Sequence, residues 1–291
     1  MENLLDHRLT TLMVVAQTGS LTAAAQQLFI TQPAVSQQLA SLEADLSVPL
    51  LVHQGRRVKL TAAATELVAY AQRLGQDNQA VLKRLRLAQT PPLRLGATRS
   101  LGAFLLPQLL AKVIAAGYQL EVTIENTAVL SRQLLAGQLD AALIEGNYSR
   151  QDFAAAPLGS APFIGVAAQP GAPATLPALF DQLLIVREVG SGTREILTTW
   201  LAAHNAQLSD FRQILALSSP TAIIELLKQG VGISFMYRDL VASELARGAL
   251  FELPLAGFPL EHPLNLIYLK ESSFAAEFGP LVATAREVLG N

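Results

Sequence analysis

The sequence predicts two structural parts in series. The first is a small, mainly α-helical winged helix-turn-helix that runs on into one long helix. Behind it comes an α/β domain whose sheets are largely parallel. Three observations carry this. Residues 20–46, SLTAAAQQLFITQPAVSQQLASLEADL, hold two short amphipathic helices joined by a tight turn. Residues 61–88 carry an apolar heptad stripe that ends at a Gln-Thr-Pro-Pro break. From Leu93 onward, eight short apolar runs alternate with helical stretches, the pattern of strands paired in parallel through crossover helices.

The elements follow in order. Leu9, Leu12, Met13 and Ala16 define a first helix, and Gly19 is placed to stop it. Ser20 is a good N-cap for the next, because its hydroxyl accepts from an amide one turn in. Leu21, Ala24, Ala25 and Leu28 line one face of that helix. Phe29 and Ile30 form an apolar turn that is expected to pack inward. A third helix starts at Thr31-Gln32-Pro33, where proline is tolerated in the first turn. Val35, Leu39, Leu42 and Leu46 make its apolar face. Gln32, Ser36, Gln37 and Ser41 make the opposite one.

That polar face carries amides and hydroxyls where a solvated helix usually carries Lys and Glu. Gln bonds bidentately to an adenine edge, Ser bonds many base edges, and a helix N-terminus attracts phosphate. A recognition helix in a major groove needs these groups at its N-terminal end. The same spacing also fits a solvated helix hairpin with no DNA role.

Residues 48–60 hold two short apolar runs around Gln54-Gly55, the signal of a hairpin or wing, with Arg56, Arg57 and Lys59 at its tip. Beside a recognition helix, such a cluster suits clamping a phosphate backbone, and the bland reading is a solvated turn. Thr61 then caps a helix to about Ala88, roughly 40 Å long at about 1.5 Å per residue. Leu67, Leu74, Val81 and Ala88 recur every seven residues, with Ala71 and Leu85 beside them, so the helix wants a partner helix.

The eight apolar runs are LRLGA, QLEVTIE, DAALIEG, FIGVAAQP, LLIVRE, ILALS, VGISFM and LNLIYLK. Three strand-to-helix junctions carry small polar residues: Thr98-Arg99-Ser100-Leu101-Gly102, Gly190-Ser191-Gly192-Thr193-Arg194 and Ser218-Ser219-Pro220-Thr221. In open α/β sheets, ligands bind at such carboxyl ends of strands. The Gly-Ser-Gly-Thr phrase has neither the spacing of a nucleophile elbow nor that of a phosphate-binding P-loop. It reads as an anion cradle made of helix-start amides and the Ser191 and Thr193 hydroxyls, or as a plain glycine-rich turn.

Composition bounds the function. The chain has 291 residues, 51% hydrophobic and 15% charged, enough for two or three domains with a sizeable core. It has no apolar run long enough to span a membrane, and its first residues lack a signal-peptide core, so no membrane partner is expected. Cysteine is absent, which excludes disulfides and thiolate metal sites and fits a cytoplasmic protein. The four His residues show no metal-ligand spacing, and no cofactor is expected. Net charge is −2, but residues 1–88 hold eight Lys/Arg against six Asp/Glu, while residues 93–291 hold 13 against 17. Phosphate neutralisation must therefore come from a local cluster and from dimerisation.

The run AQTGSLTAAAQQLFITQPAVSQQLASLE resembles the N-terminal signature of LysR-type transcriptional regulators. LGATRSLGAFLLPQLL and LLKQGVGISFM resemble their effector domain. Departures stand at Ser47 and Ala63, where members usually have Gly, and at His53, where they usually have Arg. The resemblance implies a winged helix-turn-helix over 1–60, a dimerising linker helix and hinge over 61–92, and a two-lobed domain like a periplasmic binding protein over 93–291. Lobe one would take 93–162 and 267–291 and lobe two 163–266, with crossings near Phe163-Ile164 and Leu266-Ile267.

It implies a non-catalytic regulator that binds a double-stranded DNA operator through Ser20, Thr31, Gln32, Pro33, Ser36, Gln37, Arg56, Arg57 and Lys59. It also implies a homodimer that pairs into a homotetramer. The phrase Arg187–Arg194 resembles the subgroup of sulfur-assimilation and carbon-fixation regulators, which implies a small anionic effector: a sulfur oxyanion, a phosphorylated metabolite or a carboxylate. Thr98, Arg99, Ser100, Asn147, Ser191, Gly192, Thr193 and Thr221 are its expected contacts. The competing readings are a solute-binding protein or enzyme of the same α/β fold with an incidental helical front, and a molybdate-type regulator. The loops offer hydroxyls and glycines, which bind but rarely catalyse.

Overall fold

Ser20 and Thr31 each stop one segment and start another. In a computed structural model, which describes residues 6–54, 57–86, 92–171, 175–270, 272 and 275–290, Ser20 caps α2 (Leu21–Leu28) by accepting from the Ala23 amide, and Thr31 caps α3 (Gln32–Leu46) by accepting from Ala34. The preceding helix α1 (His7–Thr18) ends on Gly19, whose φ of +64° is the left-handed turn that favours glycine. A wing of β1 (Leu51–Gln54) and β2 (Arg57–Leu60) pairs antiparallel, Leu51 opposite Leu60 and Gln54 opposite Arg57. Glu43 on α3 holds the entry to the wing by accepting from the amides of Leu50 (2.6 Å) and Leu51 (3.1 Å). Thr61 then caps α4 (Ala62–Arg86) through Ala64.

The core of this unit is Leu12, Val15, Ala24, Ala25, Val35, Leu39, Leu42 and Leu50, joined by Ala64 and Val68 from the first turns of α4. Two expectations fail here. Phe29 and Ile30 do not pack inward: Phe29 is 95% exposed, because its φ of +56° in the turn carries the ring away from the core. Leu46, expected on the apolar face of α3, lies exposed in its last turn, where the helix has run past the core. Of the heptad positions, Ala71 is buried and Leu67 and Leu74 are half-buried. Ala88 and the side chains of Val81 and Leu85 lie outside the described residues.

Ser47 ends α3 at φ +55°, a conformation costly to a residue with a Cβ. Ser47→Gly is therefore expected to stabilise this unit by about 0.5–1 kcal/mol, after the added freedom of the unfolded glycine is discounted. Urea unfolding of the variant against the parent checks it.

Apart from Leu135–Gly137, which group with the first, the chain divides between residues 91 and 92 into this unit and a second one. The second unit contains β3 (Leu93–Thr98), α5 (Arg99–Phe104), α6 (Leu106–Ala115), β4 (Leu120–Glu125), α7 (Thr127–Leu135) and β5 (Ala141–Glu145), then β6 (Phe153–Ala167). It continues with α8 (Leu176–Leu179), β7 (Leu183–Arg187), α9 (Gly192–Ala203), β8 (Gln213–Leu217), α10 (Pro220–Lys228) and β9 (Ile233–Tyr237). Last come α11 (Ala242–Ala246), β10 (Phe251–Glu252), β11 (Leu260–Leu269) and α12 (Gly279–Val288).

The strands lie in the order β4-β3-β5-β11-β6-β9-β7-β8, with β10 pairing β6. Pairs β3–β4, β3–β5, β7–β8 and β7–β9 are parallel, and β6 and β11 run antiparallel through the middle. Those two long strands join the lobe of β3, β4 and β5 to the lobe of β7, β8 and β9. On β6 the switch lies ahead of Phe163, where pairing to β9 begins. On β11, Leu264–Ile267 already pair with β5, so the crossing lies upstream of the expected Leu266-Ile267, at about Leu260–Pro263. The first half of β6 contains Pro157 and Pro162, and pairs β11 on one side while β9 joins only from Phe163. An edge of this kind tolerates proline, and the composition hides the strand from a reading of apolar runs.

Candidate functional site: the recognition helix and the effector cleft

On the first unit, the polar face of α3 is outward. Thr31, Gln32, Pro33, Ser36 and Gln37 are all exposed, while Val35 and Leu39 between them are buried. The first turn of α3 therefore presents side chains and unpaired helix-start amides to one side. Ser20 is half-buried and occupied as a cap. Lys59 on the wing is exposed; Arg56 and the side chain of Arg57 lie outside the described residues.

On the second unit, the carboxyl ends of β3, β5 and β7 meet. Thr98 ends β3 and caps α5, accepting from the Leu101 amide at 3.4 Å. Its hydroxyl donates to the Glu145 carboxylate at the end of β5. Arg187 ends β7 and donates to Ser100 Oγ from across the cleft at 3.3 Å. Glycine makes the approach possible. Gly192, the first residue of α9, lies so close to β5 that a Cβ there would sit 2.4 Å from the Glu145 carbonyl oxygen, and Gly146 (φ +86°) faces it. On either side of Gly192, the Ser191 and Thr193 hydroxyls bond each other at 2.8 Å. Four of the five expected hydroxyl residues, Thr98, Ser100, Ser191 and Thr193, are buried.

Around this centre the lobes are latched. Glu188 of one lobe accepts from Arg99 (2.5 Å) and Asn126 (3.2 Å) of the other, and from Arg187 beside it. Arg99 is also held by Glu125 at 2.7 Å. The guanidinium of Arg99, an expected effector contact, is thus divided between two carboxylates. The Ala128 amide donates to Gly190 O, and Asn147 donates to Glu195 at the exposed rim. Thr221 is exposed at the start of α10, beyond the edge strand β8. Arg194 turns back to the Arg187 carbonyl.

Burial pushes the Glu145 carboxyl above the usual carboxylate range, against the pull of the Thr98 and Ser100 hydroxyls and of Arg187. Burial acts in the same direction on Glu188, but there the bonds to Arg187 and Asn126 prevail and the carboxyl lies below its usual range.

Glu145, Arg187, Glu188 and Asn126 were not among the expected site residues. One signal was available for the first two: a charge at the end of an otherwise apolar run, DAALIEG and LLIVRE, at the carboxyl end of a strand. Thr127 was missed as well. Its hydroxyl, buried next to the Ala128–Gly190 contact, has no hydrogen-bond partner among the described residues.

Family models match both parts of the chain. Residues 7–65 match the bacterial regulatory helix-turn-helix protein, lysR family, and residues 88–290 match the LysR substrate binding domain. The chain belongs to the LysR family. It is 28% identical over 285 residues to the HTH-type transcriptional activator CmpR of Synechocystis sp., covering 94% of this chain and 92% of that protein. It is 28% identical over 281 residues to a probable RuBisCO transcriptional regulator of Nostoc sp., covering 90% and 81% respectively. The regulatory domain of Synechocystis PCC6803 CcmR in complex with 2-PG superposes with a TM-score of 0.60 at 22% identity, over 69% of this chain and 98% of that one. This LysR-family chain is a DNA-binding transcriptional regulator with an effector-binding domain, and no described helix is long and apolar enough to cross a membrane.

Proposed function

We propose that this regulator acts in the cytoplasm as a homodimer joined through α4, paired further into a homotetramer. It reads a double-stranded operator with Gln32, Ser36 and Gln37, while Thr31 and Pro33 at the start of α3 and Ser20 at the start of α2 meet the phosphates and Arg56, Arg57 and Lys59 of the wing clamp the backbone. Its effector is a small oxyanion (a sulfur oxyanion, a phosphorylated metabolite or a carboxylate) bound between the lobes. One observation carries the effector reading. The buried hydroxyls of Thr98 and Ser100 meet the N-terminus of α9 at Gly192, with Arg187 reaching across the same point. Hydroxyls, helix-start dipoles and a guanidinium converging on one place suit a compact anion. The 2-PG held by the CcmR regulatory domain is a small anion in a domain of the same fold, which supports this class.

An anion touching both lobes favours their closed arrangement over any open one, and that differential affinity is what an effector needs to alter DNA binding. Mobility shift on the DNA flanking the protein's own gene tests the first half. Gln32→Ala and Ser36→Ala should each weaken specific binding by about 1–3 kcal/mol with folding intact. Lys59→Ala should weaken binding to every sequence and flatten the salt slope. Unchanged operator affinity in all three would remove the assignment. Thermal shift with sulfate, sulfite, phosphate and small carboxylates tests the second half: at least one should stabilise the wild type, and Thr193→Val should lose that response.

A further inference from the structure

The effector cleft contains a charged group that the anion reading leaves unused. Glu145 is 1% exposed, and its carboxyl accepts from Thr98, one of the hydroxyls assigned above to the ligand, with Ser100 further on in the same helix start. Every element around it contributes a group. Arg187 of β7 is the nearby cation, but its guanidinium is shared between Glu188 and Ser100. From β9 comes Tyr237, also fully buried, whose phenol titrates well above its usual range through burial and the neighbouring Glu145 charge. The Tyr237 phenol meets Nδ1 of His262 on β11 at 3.3 Å, and Glu195 of α9 faces that histidine. The α9 backbone at Gly192 closes the remaining side. A carboxylate in this position and an oxyanion bound to the same hydroxyls would be two like charges in a buried space. Such pairs are stable only with a proton between them.

We propose that Glu145 is the specificity-determining residue of the cleft and admits an oxyanion only together with one proton, carried by the ligand or by the Glu145 carboxyl. This rests on the oxyanion reading above and names its ligand class. A hydrogen phosphate or any other oxyanion with an acidic hydrogen donates that hydrogen to the Glu145 carboxylate. A fully deprotonated anion such as sulfate must instead find the proton on Glu145, which then donates to the ligand while Thr98 and Ser100 turn their hydroxyls toward it. Burial, which favours the neutral carboxyl, keeps the second route open to higher pH than an exposed glutamate would allow, and the route closes as pH rises further.

Calorimetric titration of the full-length protein with sulfate and with phosphate, across the whole pH range in which the protein stays folded, tests this. Wild-type affinity for sulfate should fall by up to about tenfold per pH unit as Glu145 ionises, leaving phosphate preferred at the upper end. Glu145→Gln should bind sulfate with a flat profile and lose at least about tenfold of the preference. His262→Gln, which removes the nearby imidazole, should keep the wild-type slope. A pH-independent wild-type affinity for sulfate overturns the proposal, as does a slope that persists in Glu145→Gln or vanishes in His262→Gln. Each of those results leaves the oxyanion reading standing. Absence of binding by either anion at every pH sinks that reading and the proposal with it.

Discussion

Gly192→Ala is expected to disable the effector domain while leaving its strands intact. The added Cβ would meet the Glu145 carbonyl oxygen at 2.4 Å, with the carbonyl carbon at 3.0 Å and the Glu145 side chain at 3.1 Å. A flexible side chain at that point could turn away; a carbonyl at the end of a buried central strand cannot. Gly146 on the other side of the contact leaves no slack, since its own Cβ position lies 2.9 Å from the Gly192 Cα. The lobes must therefore separate at this point, and the latch of Glu188 with Arg99 and Asn126 separates with them. Overpacking of this kind costs about 1–3 kcal/mol. In a domain of this size that corresponds to a drop of roughly 2–4 °C in Tm for each kcal/mol. Anion-induced stabilisation should fall by at least about tenfold in apparent affinity, because closure no longer brings the two walls together. Thermal melts of the variant with and without phosphate read both effects. Wild-type melting with a wild-type anion response would show that this contact does not govern closure.

Arg187→Ala should be the most destabilising single change at the site. Arg187 is 6% exposed and donates to Glu188 and to Ser100 of the opposite lobe. Truncation leaves the Glu188 carboxylate largely buried with less compensation, and removes the cation nearest Glu145. Breaking a buried ion pair from one side costs about 3–5 kcal/mol, and Glu188, at 22% side-chain exposure, argues for the lower figure.

The loss should depend on pH in a stated direction. Glu188 titrates below its usual range in the folded protein. Its contribution to stability is therefore present above the ordinary glutamate value and fades as pH falls through the lowered one. In Arg187→Ala the main cause of that lowering is gone, so the gap between wild type and variant should be widest at neutral pH and narrow on acidification. Urea unfolding of both proteins across that range checks the sign. A gap of constant size at all pH values would mean that Arg187 acts by packing alone.

Much of the fold was legible because its signals are local. Helices α1, α2 and α3 follow from apolar spacing; Gly19 and Ser20 take the stop and the cap expected of them, and α3 starts at Thr31 as expected. The alternation of apolar runs with helices gave the parallel halves of the sheet, since a strand buried on both faces needs an uninterrupted apolar run. The outward face of α3 was legible for the same reason: its polar residues fall between the buried Val35 and Leu39.

Other features depend on contacts between residues far apart in the chain, and no local pattern encodes them. The strand at Phe153–Pro162 is poor in β-formers and exists because β11 pairs with it, and the same register moves the crossing on β11 upstream of its expected place. The turn at Phe29 looked like core by composition, but its left-handed backbone turns the ring to solvent. That Arg99 is shared between Glu125 and Glu188, 26 and 89 residues away, no local pattern announces. By itself, then, the sequence determined the helix-turn-helix, the parallel α/β domain and the hydroxyl-bearing junctions, because periodicity, capping and strand composition act within a few residues. Only the tertiary structure decided that those junctions converge on a buried carboxylate. Glu145 acquires its role from Thr98 and Ser100 at one side, Arg187 at another and the bare backbone of Gly192 at a third, and what a buried charge does is set by all of its neighbours at once.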